Sequence, residues 1–144
     1  MAGNCDTTND NIMILACSGA SNVGQLSNQA AVELTQEGFG KMFCLAGIGG
    51  QLSGFVQAAE NVPLMVAIDG CQVGCAKAIL KNAGVPLNYH LVLTEEGMEK
   101  NKNFDLERSE IERAKTAVKR VAGQVGDVEA GEPSASGCSC SICG

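Results

Sequence analysis

Four of the eight cysteines in this 144-residue chain are spaced for chemistry. Cys17, Cys44 and Cys71 each fall at or just beyond the carboxyl end of an apolar run, and Cys75 follows Cys71 by four residues. A thiolate is both a nucleophile and a soft metal ligand. Four of them converging suit zinc, which takes four cysteines tetrahedrally at ~2.3 Å. Four protein ligands leave no open position, which favours a structural or carrier site over hydrolysis. A thiol redox or sulfur-transfer enzyme is the alternative from another class, with some of the same cysteines as nucleophiles. Handling of copper or a metalloid is a third, because these soft ions also prefer thiolates. Against all three stands plain packing, since cysteine often serves as a small buried hydrophobe. Cys44, inside an apolar run, suits that reading best. Asp69, two residues before Cys71, is placed to cap the next helix or to orient a ligand from behind.

Elements must bring these residues together. Ile12–Ala16 is a continuous apolar run, expected as a strand buried on both faces and ending at Cys17. Val23, Leu26, Ala30 and Leu34 recur at helical spacing, with Ser21 as cap and Gly38 as stop. A second strand is expected over Lys41–Leu45 and a helix over Ser53–Asn61. A third strand covers Val62–Ile68, a helix runs from about Val73 to Asn82, and a fourth strand covers Tyr89–Thr94. A last helix opens with Ser109 and Glu112 at capping-box spacing. Strand and helix thus alternate four times. The pattern predicts an α/β fold, a small three-layer sandwich of Rossmann or flavodoxin type with about four mainly parallel strands and helices on both faces. Strand ends in such a sheet share one edge, where ligands bind, and helix amino termini there favour negative charge.

The formal net charge is −6 and aromatics are 3% of the chain. An acidic chain with no basic stripe argues against nucleic acid and against a membrane surface. No apolar run approaches the ~18 residues of a membrane span, and the first residues lack the order of a signal peptide. A cytoplasmic protein is therefore expected, in a compartment where cysteines serve metal or redox chemistry rather than a disulfide framework. Residues 1–11 read as a flexible terminus, 12–126 as the metal-binding α/β domain, and 127–144 as a flexible linker with a cysteine-rich tail. In that tail Cys138, Cys140 and Cys143 are candidate accessory thiols. They lack a local fourth ligand, which Cys5 could supply. The metal ion is the expected partner; no protein partner is indicated.

The stretch Cys17-Ser18-Gly19-Ala20-Ser21-Asn22-Val23-Gly24-Gln25, the Cys44-Leu45-Ala46-Gly47 segment and Asp69-Gly70-Cys71, followed by Cys75, resemble the DGC family, which takes its name from the central Asp-Gly-Cys motif. The resemblance extends over about Ile12–Val125. It implies zinc binding, because the family's four cysteines look like metal ligands, and the matching residues are Cys17, Cys44, Cys71 and Cys75.

Other signals carry less. Gly47-Ile48-Gly49-Gly50 follows an expected strand, but the third glycine of a dinucleotide fingerprint would fall at Leu52. His90, the one histidine, has no evident carboxylate partner and reads as a packed or exposed strand residue. Lys115, Lys119 and Arg120 read as a solvated helix face.

Overall fold

The computed structural model describes residues 9–123. The tail cysteines, Cys5 and the linker lie outside them. Four strands, β1 (Ile12–Ala16), β2 (Lys41–Met42), β3 (Leu64–Asp69) and β4 (Tyr89–Val92), form one sheet. Its order is β2-β1-β3-β4, and every pairing is parallel. Among the described residues five α-helices connect and cover it: α1 (Asn22–Gln36), α2 (Leu45–Gly49), α3 (Ser53–Asn61), α4 (Cys75–Ala83) and α5 (Arg108–Gly123). The expected small α/β sandwich is the observed architecture. Among the described residues no helix is long and apolar enough to cross a membrane.

Alternation along β1 divides two cores. Ile14 and Ala16 pack with α1 and α5, while Met13 and Leu15 pack with α2, α3 and α4. Ile14 and Leu15 are fully buried on opposite faces, which is why this strand reads as an unbroken apolar run rather than an alternating one. The same holds for Met65, Val66, Ala67 and Ile68 of β3.

The strand order decides where a ligand could sit. The chain passes outward from β1 to β2, then crosses back over β1 to pair β3 on its other side. That reversal opens a crevice beyond the carboxyl ends of β1 and β3, the switch point at which open α/β sheets bind ligands. Cys17 follows β1 directly, and its N–H continues the ladder by donating to the Ile68 carbonyl at 2.8 Å. Cys71 lies two residues beyond β3.

Several local expectations are corrected. The second strand is only Lys41–Met42, and Cys44 is the residue before α2 rather than part of a strand. The Gly47-Ile48-Gly49 stretch is helical, and a Cβ on Gly47 would come within 2.6 Å of the Phe55 ring, so this glycine serves close α2–α3 packing. The fourth strand ends at Val92, where the backbone tightens into a 3-10 turn over Leu93–Glu96. The last helix begins at Arg108, with the N–H groups of Glu110 and Ile111 donating to the Glu107 carbonyl, so Ser109 lies inside it and does not cap it. Lys115 is buried rather than solvated: its ammonium pairs with Glu37 and, at 3.2 Å, with Glu112.

Candidate functional site

Cys17, Cys71 and Cys75 line one cleft of about 280 Å³ at the sheet's carboxyl edge, together with Ser21, Lys100 and Lys102. Each arrives there for a different local reason.

Cys17 is carried by β1 and is buried. The turn after it is closed by the Ser21 N–H donating to the Gly19 carbonyl at 2.9 Å. Ser21 then caps α1 as expected, its Oγ accepting from the Gly24 N–H at 3.2 Å. Burial pushes the Cys17 thiol above its ordinary value. The backbone N–H groups of Gly19 and Gly70 pull the other way, and negative charge on Cys75 and Asp69 adds to the rise.

Cys71 is brought in by a contact between backbones. A Cβ on Gly70 would lie 2.6–2.7 Å from backbone atoms of Val23 and Gly24, and one on Gly24 would lie 2.7 Å from the Gly19 carbonyl oxygen. Only glycine permits the loop after β3, the first turn of α1 and the loop after β1 to stack this closely. Beyond Cys71 the chain turns, with the Gly74 N–H donating to the Cys71 carbonyl at 3.1 Å. Gly74 has φ of 67°, the left-handed region, and precedes α4. Cys75 is the first residue of α4, so Cys71 and Cys75 do not share a helical turn; the four-residue spacing spans a tight loop instead.

Gly74 has no side chain with which to cap α4. Asp69 does it from the end of β3: Oδ1 accepts from the Ala76 N–H at 2.8 Å and Oδ2 from the Lys77 N–H at 3.2 Å. Oδ2 also accepts from His90 Nε2 at 2.8 Å. Of the two roles expected for Asp69, the cap is the one seen. The His90 contact escaped the sequence reading, which found no carboxylate for this histidine. Its origin is register: Ala67 pairs with His90, so His90 is the diagonal neighbour of Asp69 on the same sheet face. Seeing this requires knowing that β4 adjoins β3.

Lys100 and Lys102 were missed as well. Asn22, itself buried, clamps the loop that carries them. Its Nδ2 donates to the Glu99 carbonyl at 2.7 Å, its Oδ1 accepts from the Asn101 N–H at 2.6 Å, and its N–H donates to the Asn101 carbonyl at 3.1 Å. The clamp sets Lys100 Nζ 3.4 Å from Cys71 Sγ, and Lys102 Nζ donates to the Ala20 carbonyl.

Cys44 is exposed and does not line this cleft. It does follow β2, the strand next to β1, so the carboxyl ends of three adjacent strands each lead to a cysteine. A thiolate-bound ion such as zinc needs suitable donors and their convergence. Donor type fits, with three thiols on one cleft and a lysine to offset their charge. Convergence is incomplete: among the described residues no three Cys, His, Asp or Glu side chains are grouped so as to hold an ion.

Comparison with known proteins agrees with the motifs. The chain is 36% identical over 109 residues to the Anaerobic and virulence modulator AnvM of Pseudomonas aeruginosa, a match covering 76% of this chain and 83% of that protein. No solved structure matches. The family model of the DGC domain matches residues 13–118, and the chain belongs to the DGC domain family.

Proposed function

We propose that this chain binds a soft metal ion, zinc foremost, through Cys17, Cys71 and Cys75, with Cys44, which follows the adjacent strand and lies outside the cleft, moving in as the fourth thiolate. The role is that of a carrier or structural site in a reducing cytoplasm. The observation that supports it is that three thiols, from the ends of β1 and β3 and the start of α4, line one cleft at the switch-point edge. When bound there, zinc would supply a closed, redox-inert centre. The chain's own residues prepare for it. Asp69 fixes the start of α4 and so the backbone of Cys75, Gly70 lets Cys71 approach Cys17, and Lys100 balances thiolate charge. The similar Pseudomonas protein is named a modulator, and a non-enzymatic role of that kind is part of this proposal.

One observation favours a second reading, a thiol redox or sulfur-transfer enzyme: a lysine ammonium lies against the Cys71 sulfur, an environment that activates cysteines. Elemental analysis and native mass spectrometry separate the two, using protein purified anaerobically without added metal. One zinc per chain, lost in Cys17→Ser, Cys71→Ser and Cys75→Ser but kept in Cys138→Ser, is the expected result. Metal-free protein that does not take up zinc, with fast alkylation of Cys71, would replace the metal reading with the redox one.

A further inference from the structure

The cations of this acidic chain are unevenly partnered. It has ten Lys and Arg residues. Lys41, Arg108, Lys115, Lys119 and Arg120 form ion pairs with carboxylates, and Arg113 donates to the Glu96 carbonyl. The remaining four, Lys77, Lys81, Lys100 and Lys102, have no carboxylate partner among the described residues. Lys100 and Lys102 line the thiol cleft at the carboxyl edge of the sheet, and Lys77 and Lys81 line a neighbouring cleft that runs from that edge back along α4 and β4.

Two clefts meet there. The thiol cleft holds Lys100 and Lys102. Beside it, across the loop of Cys71–Gly74 and sharing Val73 with it, lies a larger one of about 580 Å³ that holds Lys77, Lys81 and His90. Lys77 and Lys81 are four residues apart on α4 and so project from one face of the helix. Among the described residues Glu95 is the one carboxylate side chain lining either cleft, while Asp69, the partner of His90, is buried. With a net charge of −6 the molecule as a whole repels anions. An anion that nevertheless binds needs a local surplus of positive charge, and the four lysines provide it.

We propose that this edge binds a small organic polycarboxylate, with one acidic end between Lys100 and Lys102 beside the thiols and another at Lys77, Lys81 and His90. The size follows from two adjoining clefts rather than a long groove. A nucleic-acid polymer is disfavoured by the net charge. The four cations are lysines, point charges divided between two clefts, so separated carboxylates match their spread better than one compact phosphate does. The site does not require the zinc reading: in the metal-free, reduced protein Lys100 has no bound thiolate cluster to balance and faces the cleft with Lys102.

The test is an NMR titration of the full, reduced, metal-free chain with citrate, at about 20 mM ionic strength where exposed charges are least screened. Saturable shifts should be confined to the amides of residues 17–24, 70–81, 90–95 and 99–103, which line the two clefts. Lys77→Gln/Lys81→Gln and Lys100→Gln/Lys102→Gln should each weaken the affinity by about threefold or more. Lys119→Gln, in a lysine already paired with Glu37, should leave it unchanged. Acetate should produce no saturation at equal carboxylate concentration, and inorganic phosphate should bind more weakly than citrate. Absence of saturable shifts, equal weakening by Lys119→Gln, or phosphate binding as tightly as citrate would each overturn the proposal.

Discussion

Removing the Asp69 carboxylate should unhinge the start of α4. The side chain is 1% exposed and accepts three hydrogen bonds, from the N–H groups of Ala76 and Lys77 and from His90 Nε2. Asp69→Ala leaves the first two donors without their cap. An N-cap lost to alanine costs typically about 1 kcal/mol. Here the cost is larger, because Ala76 is fully buried, and an orphaned buried donor forfeits about 1–3 kcal/mol. A total of about 3 kcal/mol follows, which for a domain of this size lowers Tm by roughly 10–15 °C. Asp69→Asn keeps one acceptor oxygen but turns an NH2 toward a donor, so its penalty should fall near half of that. Differential scanning calorimetry gives the ranking, and hydrogen exchange gives the location: protection should be lost first at Ala76 and Lys77 while the Ile14 amide in β1 stays protected. An unchanged Tm in Asp69→Ala, or equal losses in the alanine and asparagine variants, would refute capping as the role of this carboxylate.

Three further outcomes are expected. In reduced, metal-free protein, mass spectrometry should find Cys17 alkylated more slowly than Cys44 or Cys75, since it is buried and its thiol is pushed upward. Gly70→Ala should destabilise by about 2 kcal/mol or more, measured by urea unfolding, because its Cβ meets backbone that cannot rotate away; Gly54→Ala, in open space within α3, should stabilise by about 0.5–1 kcal/mol. Lys115 and Lys119 hold the Glu37 carboxyl below its ordinary 4.5, so the stability it contributes is complete above that value and lost as pH falls through the lowered one; Glu37→Gln should flatten the acid limb of a Tm-versus-pH curve.

What could be read from the residues follows from how local each signal is. Ser21 and Gly38 bracket α1 by side-chain capping and a φ of 78°, both local, and both were legible. The helix Ser53–Asn61 was equally so. The run from Met42 to Ile48 was not, because a short apolar stretch fits a strand or a buried helix alike; the sheet pairs only its first residues, and Cys44 is displaced from strand to helix entry. Lys115 looked solvated because its partner Glu37 lies at the far end of another helix, 78 positions away in sequence. His90 and Lys100 failed for the same reason: their partners, Asp69 and Cys71, are set by strand order and by the Asn22 clamp. The placement of Cys17 and Cys71 was legible because every parallel strand must deliver its carboxyl end to the same edge, whatever the order.

The Asp-Gly-Cys triplet acts as one mechanical unit, and this bears on how the site could tolerate change. Asp69 is the last residue of β3 and points its carboxylate forward into α4. Gly70 lies flat against the backbone of Val23 and Gly24, tying the same loop to α1, whose opening follows Cys17. Cys71 is then held between these two anchors, with Gly74 turning the chain so that Cys75 starts the capped helix. Three thiols from three elements are thus positioned chiefly by backbone contacts and one buried carboxylate, and the Lys100 contact to Cys71 Sγ adds to a placement already made. A serine in place of any one thiol should therefore leave the scaffold standing, whereas a methyl group on Gly70 should disturb all three. The thiols can be tested as chemistry because the triplet keeps them separate from the fold's stability.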